Sequence, residues 1–160
     1  MNLIDFKKNI HILNSKESDI VRNMYIQKFV NTHTESYSKQ IKTKRKFSDG
    51  YCYTGYLWDH LYEAEMIDEN SIYSYKNNLK MIYVFWDIHS ADRIWIKDYW
   101  KFGKTTVLQL PFNLLLDGLR YLPEDIYICD RTFEWSLIMT HEDIENRRYC
   151  LKCGQIEYNV

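Results

Sequence analysis

Glycine and proline are scarce in this chain, 5 and 2 among 160 residues. That excludes collagen-like and Pro/Gly-rich low-complexity architectures and leaves little material for flexible linkers. No apolar run approaches the ~20 residues of a membrane-spanning helix. The stretch 1–14 also lacks the apolar centre and small-residue cleavage site of a secretory signal. Four cysteines, at 52, 129, 150 and 153, are therefore expected as reduced thiols in a cytoplasmic protein. Charge of either sign is not in excess: the net value is -1, which argues against a generic nucleic-acid binder. A phosphate-binding loop is missing, because Gly103-Lys104-Thr105-Thr106 lacks the leading glycine and spacer. A chain of 160 residues is expected to form a single domain, 1–160, whose core needs neither disulfide nor metal.

What is abundant is aromatic: 16% of residues, including 14 tyrosines and 5 tryptophans. Such side chains combine large apolar area with a polar tip and suit both cores and protein interfaces. Charge is unevenly placed. Lys39, Lys42, Lys44, Arg45 and Lys46 form a basic run, and Asp59, Glu63, Glu65, Asp68 and Glu69 follow with no Lys or Arg among them. The bland reading of both runs is a pair of solvated faces.

Helical spacing of Leu3, Phe6, Ile10 and Leu13 predicts a first helix with a break at Asn14-Ser15. Ser18 is the expected cap of a second helix carrying Val21, Met24, Tyr25 and Phe29, which ends near Asn31. The segment 32–50, polar and lysine-rich, is expected to be mobile. Tyr53, Leu57, Trp58, Leu61 and Tyr62 recur as in a helix over 51–65, and Asp68 should cap another through Asn77. Met81 to Trp86 reads as a central strand covered on both faces. Arg93 to Phe102 is either a short strand or an irregular aromatic segment. Pro111 opens a helix that Leu122-Pro123 stops.

From Ile126 to Cys153 the pattern is three strands joined by polar turns at 130–132 and 142–146. Phe133, Trp135, Leu137 and Met139 alternate with Glu134, Ser136, Ile138 and Thr140, the mark of a half-buried antiparallel strand. The expected fold class is α+β: an antiparallel sheet with its central strand at 81–86 and a C-terminal hairpin and third strand over 125–153. Its helices come mainly from the N-terminal half.

Candidate chemistry is thin. Cys150-x-x-Cys153 lacks a second pair of ligands, and residues three apart on a strand point to opposite faces. His141-Glu142-Asp143 ends a strand without the second histidine of a zinc motif. Asp87, His89 and Ser90 can be drawn as orienter, base and nucleophile, yet no Gly-x-Ser-x-Gly elbow surrounds the serine. No catalytic residue, metal or cofactor is therefore assigned. The basic run flanked by Tyr37 and Phe47 has the makings of a nucleic-acid contact, with rings for bases and lysines for phosphates. Trp58, Asp59, Tyr62, Glu63, Glu65, Asp68 and Glu69 suggest an aromatic anchor with an acidic rim, suited to a basic protein partner.

The run Tyr127-Ile128-Cys129-Asp130-Arg131-Thr132-Phe133-Glu134-Trp135-Ser136, continuing through Leu137-Ile138-Met139-Thr140-His141-Glu142, resembles the C-terminal part of small bacterial immunity proteins. These accompany polymorphic or contact-dependent growth-inhibition toxins. Gly55-Tyr56-Leu57-Trp58 and the strand 81–86 fit the resemblance loosely. It implies a cytoplasmic, non-enzymatic inhibitor that binds a cognate toxin domain, often a nuclease, and occludes its active site or substrate groove. No membrane or nucleic-acid partner is expected on this reading, and the family lends no binding residues. Two other readings stay open: a small nucleic-acid binder using 37–47, and a small metal-binding or hydrolytic protein using His141 and the cysteines.

Overall fold

A computed structural model describes residues 1–157. Its centre is a seven-stranded, wholly antiparallel sheet in the order β1-β6-β5-β7-β8-β9-β4. The strands are β1 (His11–Ile12), β4 (Glu65–Ile67), β5 (Met81–Phe85), β6 (Leu108–Pro111), β7 (Ile126–Cys129), β8 (Trp135–Ile144) and β9 (Arg147–Gly154). A separate two-stranded hairpin pairs β2 (Arg45–Phe47) with β3 (Gly50–Cys52). The α+β class is therefore as the sequence predicts, with β5 third in the sheet and β7 to β9 forming the C-terminal meander.

Alternation along each strand separates two cores. Ile82, Val84, Leu110, Ile128, Leu137 and Met139 face one side. There they meet Phe6 of α1 (Leu3–Lys8), Ile72 of α4 (Glu69–Ser74) and Phe112 and Leu115 of α5 (Phe112–Gly118). Phe85, Tyr127, Ile138, Leu151 and Cys153 face the other. These pack under Val21, Tyr25 and Phe29 of α2 (Ser15–Phe29), together with Tyr37, Ile41, Leu57 and Trp58. Each fully buried aliphatic or aromatic side chain contributes about 1.5–3 kcal/mol of transfer free energy. A sheet covered on both faces collects that twice.

This layering corrects one expectation. Trp135 to Thr140 is buried on both faces, not half-buried. Ser136 and Thr140 are tolerated inside because the first bonds the Tyr25 hydroxyl at 2.6 Å and the second donates to the Tyr149 carbonyl at 2.7 Å. Phe133 leaves the expected alternation because its φ is +53° and its ring turns into the second core. The last turn is tighter than the polar run 142–146 suggests: Glu145 and Asn146 both have positive φ, as a two-residue hairpin loop requires, and β8 runs on to Ile144.

Helix ends follow local chemistry. Asn14, not Ser18, caps α2, accepting from the Glu17 amide at 2.8 Å while Glu17 reaches back to the Asn14 amide. Ser18 instead fastens the helix to the sheet margin, accepting from the Val107 amide at 3.0 Å. The first helix stops at Lys8, and His11–Ile12 forms an edge strand on β6. Asp68 caps α4 as expected, accepting from the Asn70 amide at 2.9 Å.

The helix expected over 51–65 does not form. Its amides find tertiary acceptors: Thr54 and Gly55 bond the Gln40 carbonyl at 3.1 and 3.0 Å, and Leu57 bonds the Asp87 carboxylate at 3.1 Å. Strand β3, a 3-10 turn at Leu57–His60 and strand β4 occupy the stretch instead. Within 32–50, α3 (Glu35–Tyr37) runs into a π-helical turn, Ser38–Lys42, then into the hairpin, with Tyr37 and Ile41 buried. Among the described residues no helix is long and apolar enough to cross a membrane.

Candidate functional site

The polar residues that follow β5 meet the segment 53–60 over the second core. Asp87, 4% exposed, accepts from the Tyr53 hydroxyl at 2.8 Å, the Tyr127 hydroxyl at 2.7 Å and the Leu57 amide. Tyr127 in turn accepts from the Trp58 amide at 3.0 Å. Burial pushes the Asp87 pKa up, against the opposing pull of His89 and the three donors. Burial also drives Tyr53 and Tyr127 well above the usual phenol range, with the Asp87 charge adding to it. Tyr53 and Tyr127 keep their protons and, by donating to Asp87, bolt the sheet to the loop.

Arg22 is the second bolt. Its guanidinium donates to the Trp86 carbonyl at 2.8 Å and to those of Lys104, Thr105 and Thr106 at 3.0, 3.0 and 3.3 Å. Desolvation lowers its pKa, offset by Tyr53 and Asp87. The long connection from β5 to β6 is thus tied at both ends to α2.

The sequence trio does not assemble. His89 Nε2 lies 2.6 Å from the Gly55 carbonyl, whereas the Ser90 hydroxyl donates to Asp49 at 2.7 Å. No serine–histidine bond forms, so the geometry lacks the proton relay that an acyl-transfer site needs. His141 and Glu142 do not pair either. His141 Nδ1 lies 2.9 and 3.0 Å from the two Asp125 oxygens, and its backbone amide donates to the same carboxylate at 3.0 Å. Burial of the ring lowers its pKa, but the Asp125 hydrogen bond and charge outweigh burial and leave it raised. Cys150 faces the first core and Cys153 the second, as strand geometry requires. Among the described residues no three His, Cys, Asp or Glu side chains gather as a metal-holding group.

The expected partner surface is dispersed. Trp58 is buried in the second core, stacked on Tyr56 at 5.2 Å, with no acceptor for its indole N–H among the described residues. It cannot serve as an exposed anchor. Asp59 lines a separate groove, and Tyr62 and Glu63 are exposed on the approach to β4. Glu65 pairs with Lys152 at 2.9 Å, Asp68 with Arg147 at 3.2 Å and Glu69 with Arg148 at 3.6 Å. Partners from β9 thus interleave the acids of 65–69, a cancellation invisible in a local charge count.

Two surfaces emerge in its place. One is the tip of the 86–107 connection, where Trp95 is 96% exposed beside Ile96 at 53%. Ile96 lines a groove of about 370 Å³ with Tyr99, Leu122 and Pro123, bordered by Lys101 and Arg120. The other is a groove of about 510 Å³ where Arg45 and Phe47 of the β2–β3 hairpin face Gln40, Tyr56, Asp59 and Arg93. Tyr37, the expected second flank of the basic run, is buried instead. Sequence reasoning missed Arg93 and Trp95. The signal available for Trp95 was an Ile-Trp-Ile run, Ile94 to Ile96, bounded by Arg93 and Lys97 in a stretch without helix or strand patterning; Arg93 had none. Compared with protein-family models, with curated proteins and with solved structures, the chain matches none.

Proposed function

We propose that this chain acts by binding another protein: an immunity protein that neutralises a cognate bacterial toxin domain by covering its active site or substrate path in the cytoplasm. The resemblance of 127–142 motivates the class of partner. The observation that carries the binding mode is Trp95. Covering an indole that stands 96% exposed removes a large apolar area from water, and tryptophan is among the residues that dominate interface energetics. Its neighbour Ile96 extends the apolar contact, and Lys97 and Lys101 supply a basic margin. The matching toxin surface is an apolar pocket with an acidic rim. This contact replaces the acidic surface at 58–69, whose charges at Glu65, Asp68 and Glu69 are paired within the chain.

An enzymatic role draws no support from the arrangement, since Asp87, His89, Ser90 and His141 each bond a different partner. The test is to read the neighbouring reading frames for a toxin domain and to co-express that domain with this chain. Growth should be rescued and a stable complex recovered, and Trp95→Ala should weaken that complex by about 10-fold or more. Absence of both rescue and complex defeats the reading. Rescue with affinity untouched by Trp95→Ala moves the contact elsewhere.

A further inference from the structure

We propose that the groove between the β2–β3 hairpin and the segment 54–59 binds a nucleoside phosphate, either as a free nucleotide or within single-stranded RNA. It is an open groove of about 510 Å³, within the volume range of small-ligand sites. Two guanidiniums, Arg45 and Arg93, line it against one carboxylate, Asp59. The Arg45 guanidinium makes no hydrogen bond or ion pair with any described residue. Arg93 commits one nitrogen to the Thr54 carbonyl at 3.2 Å and keeps its other donors. Planar forks of this kind match phosphate oxygens in pairs.

The remaining walls select for more than an anion. Phe47 brings an aromatic ring to the groove on which a base can stack, and Tyr56, packed against Trp58, His89 and His141, forms a fixed wall beside it. Tyr56 is held in place, stacked on Trp58 and edge-on to His89 at 4.8 Å. Asp59 would repel bare phosphate but accepts hydrogen bonds from ribose hydroxyls or a base edge. A ligand with phosphate at one end and sugar and base at the other satisfies all five residues.

The groove is also pre-built. Asp92 accepts from the Ser48 amide at 2.9 Å and from the Ser48 hydroxyl. Reciprocally, Asp49 accepts from the Ser90 hydroxyl at 2.7 Å and the Ala91 amide at 2.8 Å. This exchange of carboxylates locks the hairpin that carries Arg45 to the turn that carries Arg93. Outside the groove, Lys42, Lys44 and Lys46 are exposed, and Lys46 alternates with Arg45 and Phe47 on β2, which puts it on the opposite face of the hairpin. The overall charge of -1 hides this local concentration.

The test is titration of the intact chain with GMP, with AMP, with a fluorescein-labelled single-stranded RNA, with inorganic phosphate and with polyglutamate. Saturable binding of a nucleotide or of the RNA, tighter than phosphate and polyglutamate and weakened about 10-fold or more by Arg45→Ala, supports the site. The Arg45 side chain is exposed and bonds none of the described residues, so this variant should fold normally. Phe47→Leu should weaken nucleotide binding while leaving phosphate binding unchanged. Mononucleotide binding without RNA binding identifies a free nucleotide as the ligand. RNA binding alone, falling steeply with salt and with Arg45→Ala, identifies RNA. No saturable binding of either, equal binding of polyglutamate, or indifference to Arg45→Ala overturns the proposal.

Discussion

Asp125 holds His141 by both its backbone and its ring: one carboxylate accepts from the amide and from Nδ1, pinning the point where β8 leaves the covered sheet. Because the folded pKa is raised above the ordinary 6.5, the pair stabilises the fold fully below that value. The contribution is lost as pH rises through the folded pKa. Denaturation midpoints measured from mildly acidic to alkaline pH should fall through that window. Asp125→Asn should remove the slope, and a ring NMR titration should show His141 returning toward its ordinary pKa.

Removing Asp87 should be among the most damaging single changes. Asp87→Ala strands the Tyr53 and Tyr127 hydroxyls and the Leu57 amide in the interior, an expected loss of about 3–5 kcal/mol in urea denaturation. Asp87→Asn keeps an acceptor and should cost less. The raised folded pKa makes native Asp87 lose stability as pH climbs from 3.8 to its folded value, and the Asn variant should lack that trend.

Arg22→Lys is not conservative here. One ammonium cannot reach carbonyls at 86, 104, 105 and 106 as the fork does. The expected result is a lower melting temperature and early protease cleavage within 86–107, with the rest of the sheet protected.

The thiols should be silent in the native state. All four cysteines are buried and free. Burial pushes Cys150 up to about 11 and Cys153 up to about 12, and raises Cys52 and Cys129 as well. A thiol-disulfide reagent at neutral pH should label none of them until denaturant is added, and all four afterwards.

Gly154→Ala should weaken the end of β9. Gly154 has φ +71°, and a β-carbon there would overlap the Glu134 carbonyl oxygen across the ladder. Strain and steric overlap together should cost about 2 kcal/mol or more, read as a lowered denaturation midpoint.

Strands were the legible part of this fold. The run Met81 to Trp86 and the meander 126–153 announced themselves because β-branched and aromatic residues cluster with alternation, and Asp68 and Pro111 marked helix starts by local chemistry. The stretch 51–65 was not legible. Its helical spacing of aromatics was real, but Asp87 and Gln40, distant in sequence, claimed its amides. Burial of Ser136 and Thr140 hid behind their polarity for the same reason, since their partners Tyr25 and Tyr149 come from other strands and helices. The acidic run 59–69 looked like a surface because its counter-ions lie on β9.

Chain order and sheet order are nearly inverted at the margins. Both outer strands, β1 and β4, come from residues before 68, while every interior strand lies after 80. During synthesis the borders therefore leave the ribosome before the strands they will flank. Met66 and Ile67 have no ladder until Cys150 and Leu151 arrive, a delay on the order of ten seconds at ordinary elongation rates. Closure of β4 onto β9 is among the last pairings a growing chain can make. A synthesis stall before 147 releases a chain whose edge strand is complete and unpaired, the species a cell's chaperones must cover.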